Sequence, residues 1–253
     1  MVTDGWSPDF RRDTGEILIL WVVTIVGTVV GWWVGRRWLL PVFQTLPAYG
    51  YLYVLLKKGR FRKALVAMLN WSLALAVVMA MLVWQDPARG GEVILRGEWY
   101  RTEMFHWLCT GVGTESMPSR FIPMHLREIA LFVVTSILTA SLISMHGGAV
   151  LMNYMSYYVG SLMAHSERPL LVFFAAWKVY AVIRVISFVM LGVLLAEVVW
   201  SWIWKRPYIM AARKRWYYMA IIGLGLDILI KALTAPLYQK ILVTLVHLPC
   251  GAG

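Results

Sequence analysis

Acidic side chains are scarce in this sequence, with 13 Asp and Glu against 24 Lys and Arg, and cysteine occurs only twice. Two cysteines exclude a disulfide-dense secreted scaffold. No Ser/His/Asp set, paired carboxylates, glycine-rich phosphate loop or His-Glu-x-x-His motif is present, so no sequence pattern requires an enzyme. The shortage of acid is also local. Arg36, Arg37, Lys57, Lys58, Arg60, Arg62 and Lys63 form one stretch without an acid, and Lys205, Arg206, Arg213, Lys214 and Arg215 form another. These segments carry +12 and the rest of the chain −1, which gives the net charge of +11. Their confinement between apolar runs argues against a nucleic-acid partner and matches the bias that keeps basic loops cytoplasmic. The phosphates they would meet are anionic lipid headgroups.

What the sequence has in abundance is apolar surface. Hydrophobic residues make up 60% of the 253 positions, and 14 are tryptophan. So much apolar surface cannot be buried in one soluble core, so an all-α polytopic membrane protein is expected, with about six transmembrane helices plus interfacial helices. The expected compartment is a prokaryotic cytoplasmic membrane. Asp4, Asp9, Asp13 and Glu16 precede the first apolar run, so that run is expected to remain as an anchor rather than be cleaved.

The expected spans are about 17–35, 64–84, two short helices within the charge-free stretch 129–164, one within 170–204, and 216–236. "MHGG" near His146 would divide the third from the fourth. "LLPVFQTLPAYGYLYVLLKKGRFRK", interrupted by Pro41 and Pro47, suits a cytoplasmic interfacial stretch, and a seventh crossing follows if it enters the membrane. On this count 36–63 and 205–215 are cytoplasmic, both termini lie outside, and 86–128 forms a non-cytoplasmic cap. The chain, 1–253, reads as a single membrane domain.

Within the spans, Gly27, Gly31 and Gly35 recur every four residues and would let a second helix approach closely. Asp227 and Lys231, at i and i+4, are expected to neutralise one another. Lys178, Arg184 and Glu197 need partners on other helices, a water-filled cavity, or escape to the interface. Both cysteines have a histidine three residues earlier: His106 with Cys109, and His247 with Cys250. Three readings stay open for them: two unrelated buried thiols, a Cys109–Cys250 disulfide, or a His2Cys2 site for zinc or copper. The terminal "CGAG" is a poor prenylation signal. Haem at His125 and His146 is disfavoured, because the two would sit at opposite ends of a span.

In the second half of the chain, "VLMNYMSYYVGSLM" resembles the second of two closely spaced helices of the stage II sporulation protein M family, the one with small residues, and "LGLDILIKALTAP" resembles its last helix, with Asp227 and Pro236 in the acidic and proline places. "AAWKVYAVIRV" stands where that family has a Pro-His-Gly motif and retains none of it. The resemblance covers less than half the chain and implies an integral membrane partner without catalysis of its own. Together these observations lead to an expected non-catalytic subunit or scaffold, partnered by other membrane subunits and bound lipids. The alternatives are a transporter or channel subunit with a charged intramembrane path, and a redox or metal-binding subunit.

Overall fold

A computed structural model describes residues 10–248 and Cys250, with no account of the side chains of 10–13. Ten helices follow in chain order: α1 (Phe10–Val34), α2 (Leu39–Lys57), α3 (Phe61–Gln85), α4 (Pro87–Val93) and α5 (Gly97–Thr110), then α6 (Pro118–Thr139), α7 (Leu142–Ala164), α8 (Pro169–Ala176), α9 (Val179–Ile203) and α10 (Met210–Leu245). Among the described residues there is no strand. Helices are the expected solution, because hydrocarbon offers no partner to a backbone N–H or C=O. Six of them, α1, α2, α3, α6, α9 and α10, are long and apolar enough to cross a membrane. The chain is an integral, multi-pass helical membrane protein.

The ends of the bundle are defined by polar contacts. At one end, Glu16 meets Lys63 at 2.6 Å and accepts from Tyr51 at 2.7 Å, while Arg206 donates to the Lys57 carbonyl at 2.7 Å. At the other end, Arg37 donates to the carbonyls of Glu92 and Gly91, and Arg89 donates to that of Trp32. Helix α2 therefore joins opposite ends. The expected interfacial stretch is instead a helix packed antiparallel on α1, and the basic segment 36–63 is divided, with Arg36 and Arg37 at the cap end and Lys57–Lys63 at the other. The start of α1 lies with Lys63, opposite to the placement expected from counting six spans.

Close packing of α1 on α2 depends on glycine. A Cβ on Gly27 would lie 2.6 Å from the Phe43 carbonyl oxygen, and one on Gly31 would lie 2.8 Å from the Leu40 side chain. Gly35 contributes through its backbone instead, since its φ of +68° turns the chain out of α1. Helix α7 is gripped much as α1 is, because a Cβ on Gly160 would stand 2.6 Å from the Ala80 carbonyl of α3. Buried Gln44 of α2 and Asn153 of α7 exchange amide hydrogen bonds of 3.1 and 2.8 Å, which satisfies both groups away from water.

The expected break lies elsewhere. "MHGG" is continuous helix inside α7, and the chain turns at Ala140 and Ser141, both left-handed with φ of 49° and 70°. The turn is held by Tyr49, whose hydroxyl donates to the Ala140 carbonyl at 3.1 Å, and by the Ser141 hydroxyl, which donates to the Gly192 carbonyl at 2.8 Å. Tyr49 and Gly192 stand in the middle of α2 and α9, so α6 and α7 form a hairpin whose tip abuts the mid-length of two spanning helices. The stretch 170–204 is also divided, at Trp177 and Lys178 between α8 and α9. In the cap, α6 begins at Pro118, eleven residues before the expected start of its span.

Candidate functional site: an ion-paired chamber beneath the cap

Three cations, Lys178 just before α9, Arg184 on α9 and Lys231 on α10, lie towards the cap end, and each is paired with an acid. Arg184 grips Asp227 through two bonds, Nε to Oδ2 at 2.8 Å and Nη2 to Oδ1 at 3.0 Å. Glu115, in the loop between α5 and α6, accepts from Lys178 on Oε1 at 2.7 Å and from Lys231 on Oε2 at 2.8 Å. The Tyr180 hydroxyl also donates to Glu115. Lys178 sits over the Trp107 ring at 4.5 Å and Lys231 over Phe121 at 4.7 Å, which adds cation–π attraction in a desolvated setting.

The mutual neutralisation expected of Asp227 and Lys231 does not occur. They share one face of α10, as the i, i+4 spacing requires, but Asp227 turns to α9 and Lys231 to the cap loop. A neighbouring helix offers Asp227 a two-pronged guanidinium, a stronger partner than a single ammonium on its own helix. Glu197 lies apart from this cluster, paired with Arg213 at 2.8 Å towards the basic end.

Glu115 and Glu128 are charged residues that sequence reasoning passed over, and Glu115 is the one that anchors the ion pairs. Burial alone would raise its carboxyl, but the ammonium groups of Lys178 and Lys231 outweigh that and hold it well below its ordinary value. Lys178 is drawn down to about 8 by burial, with Glu115 opposing the shift. At neutral pH the carboxylate is ionised and Lys178 mostly protonated. A signal for Glu115 was present in the charge balance: Lys178, Arg184 and Lys231 are three cations, while the same two helices supply Asp227 in their vicinity. A second acid had to come from elsewhere.

The cluster walls a chamber of about 130 Å³, partly open, between α3, α6, α7 and α9. Its cap end is lined by Glu115, Glu128, Arg184 and Lys231, with Tyr100 and Tyr154 beside them at a ring separation of 4.6 Å. Towards the basic end it is lined by Met68, Trp71, Met145 and Phe188. Gly148 opens onto it, and a Cβ there would meet nothing within 4 Å.

Comparison with family models, curated proteins and solved structures yields no match. The site therefore has to be read from its own chemistry.

Cys109 and Cys250 form a disulfide across 141 residues, with Cα atoms 5.4 Å apart. Of the three readings of the His-x-x-Cys pairs, this engages both sulfurs and leaves no thiolate for a metal. His106 and His247 are exposed. Among the described residues, no group of three or more His, Cys, Asp and Glu is arranged to hold a metal ion. His125 is buried, its Nε2 3.6 Å from Asp227, and neither of its ring nitrogens has a hydrogen-bond partner. His146 lies on α7 beside Thr45 and Leu46, in a shallow apolar groove.

Proposed function

We propose that this protein is a transport-class membrane protein that takes an amphipathic small molecule into the chamber beneath its cap. The observation that carries this reading is the chamber's polarity, with a charged wall at the cap end continuous with a methionine- and aromatic-rich pocket. Ionisable groups are retained inside membranes where they face a cavity or a pathway. Flexible methionine side chains suit a pocket that adapts to its occupant. The α6–α7 hairpin lines one side, through Glu128 and Phe132 of α6 and Met145 and Met152 of α7.

Two independent signals support one orientation. The basic end, with Lys57–Lys63 and Lys205–Arg215, is the cytoplasmic end by charge bias, and the disulfide at the cap belongs on an oxidising side. Anionic lipid headgroups are the expected neighbours of the basic end.

The test is native mass spectrometry of protein released from nanodiscs. A retained non-protein mass is expected on the wild type, lost in Gly148→Phe, which fills the chamber, and kept in Gly50→Phe, which projects from the exposed surface of α2. No retained mass, or one that survives Gly148→Phe, contradicts the reading.

A second reading, the subunit or scaffold role expected from the sequence and from the sporulation-protein resemblance, is supported by α1. Its outward face carries exposed Leu18, Val22, Val26 and Trp33. Stoichiometric co-purification of another membrane protein, lost on polar substitution of that face, would favour it.

A further inference from the structure

We infer that the chamber's occupant is a zwitterion with an apolar body, its ammonium group seated against Glu128 and its acid group against Arg184 and Lys231. This rests on the chamber being a ligand site, and it names the ligand's chemistry.

Of the charged side chains that line the chamber, Glu115, Arg184 and Lys231 are each held by a hydrogen-bonded ion pair. Among the described residues Glu128 makes no hydrogen bond and no ion pair, although it lines the chamber with Arg184 and Lys231. A carboxyl group at that depth calls for a donor, preferably a charged one. Arg184 and Lys231, in the same lining, have donors to spare. Arg184 engages two of its five N–H groups with Asp227, and Lys231 one of its three with Glu115. A ligand with a cationic and an anionic group satisfies the free acceptor and the free donors at once.

Charge balance points the same way. Lys178, Arg184 and Lys231 face Glu115, Asp227 and Glu128, so the ionised cluster is neutral as a whole. A ligand carrying net charge would add an uncompensated charge to a water-poor interior, whereas a zwitterion adds none. Most of the remaining lining, including Phe132, Phe188, Met152 and Met155, is apolar. The volume, about 130 Å³, is near that of an engineered cavity of roughly 150 Å³ that accepts one benzene ring.

Three probes of nearly equal size isolate the two groups: L-phenylalanine, 2-phenylethylamine, which lacks the carboxylate, and 3-phenylpropanoate, which lacks the ammonium. Binding is measured by calorimetry on the full chain in phosphatidylcholine nanodiscs. L-Phenylalanine is expected to bind at least about tenfold more tightly than either analogue, the size of effect one charge-assisted hydrogen bond produces. Glu128→Gln is expected to bring L-phenylalanine to the level of 3-phenylpropanoate, while 3-phenylpropanoate itself is unchanged. The wild-type ranking needs no variant, so the test survives if Glu128→Gln does not fold.

The same ammonium–acid chemistry occurs in a free amino acid and in the phosphoethanolamine headgroup of a lipid. Adding phosphatidylethanolamine to the nanodiscs separates these sources. Competition that disappears in Glu128→Gln supports the inference with a lipid occupant, and undiminished L-phenylalanine binding supports it with a free one. If either analogue binds the wild type as tightly as L-phenylalanine, the zwitterion is overturned and the chamber reading stands. If no probe binds, but a retained mass is still shed on Gly148→Phe, the inference again fails alone. If no mass is retained either, both fail.

Discussion

Arg184 of α9 and Asp227 of α10 meet side by side, with two parallel hydrogen bonds of 2.8 and 3.0 Å. Asp227 has 2% of its side chain exposed and Arg184 19%, so the carboxylate cannot fall back on water when the guanidinium is removed, and the guanidinium can do so only in part. Arg184→Met or Asp227→Leu alone is expected to cost about 3–5 kcal/mol, and the double variant far less, because it leaves no stranded charge. Unfolding of the four proteins in mixed micelles checks this. Additive losses would show that the two groups do not act as a pair.

Gly27 is the tightest point between α1 and α2. Gly27→Ala places a methyl 2.6 Å from the Phe43 carbonyl oxygen and is expected to destabilise the protein by about 1–3 kcal/mol, as overpacking does. Gly225→Ala, where a Cβ meets nothing within 4 Å, is the matched control and should be neutral or slightly stabilising. Equal melting of the two variants would show that the close approach of α1 to α2 contributes nothing to stability.

The Cys109–Cys250 disulfide ties the end of α5 to the segment after α10. Replacing both cysteines with serine is expected to lower stability by about 2–4 kcal/mol, the usual contribution of a link across a long loop. Thiol labelling of freshly isolated membranes, before and after reductant, should show both cysteines protected and then released. Free thiols in the native membrane would place the cap on a reducing side.

Acid should loosen the cap. Lys178, Lys231 and the Tyr180 hydroxyl face Glu115, and the two ammonium groups hold its folded-state value below the ordinary 4.5. A carboxyl lowered on folding contributes stability that is present above its unfolded value and lost as pH falls through the folded one. Melting temperature should therefore hold down to about pH 4.5 and decline below it. Glu115→Gln should melt lower at pH 7, with two lysines left unpaired, and show a shallower acid limb. An unchanged acid limb in Glu115→Gln would assign the dependence to other groups.

The helical, membrane-spanning fold was legible because apolar composition and span length are properties of local sequence. The disulfide stood among the expectations because the chain has only two cysteines. Partnership was not legible. The Asp227–Lys231 spacing establishes a shared helix face, but which group turns to which partner depends on α9 and the cap loop, which approach only in the folded bundle. Helix α2 was misread because Pro41 and Pro47 look like interruptions. Pro41 lies in the first turn, where no backbone donor is lost, and the helix continues through Pro47. The hairpin tip at Ala140 and Ser141 carries no glycine or proline to announce it. Tyr49 and Gly192, far away in sequence, hold it in place.

The central claim is that the space between α3, α6, α7 and α9 is a ligand site. A map of the wild-type protein in lipid nanodiscs, at a resolution that shows side chains, tests it most directly. Density belonging to no residue is expected between Glu128 and Arg184, extending towards Met68 and Phe188. Glu128 paired directly with Arg184 or Lys231, with the methionine and aromatic side chains closed over the space, would contradict it.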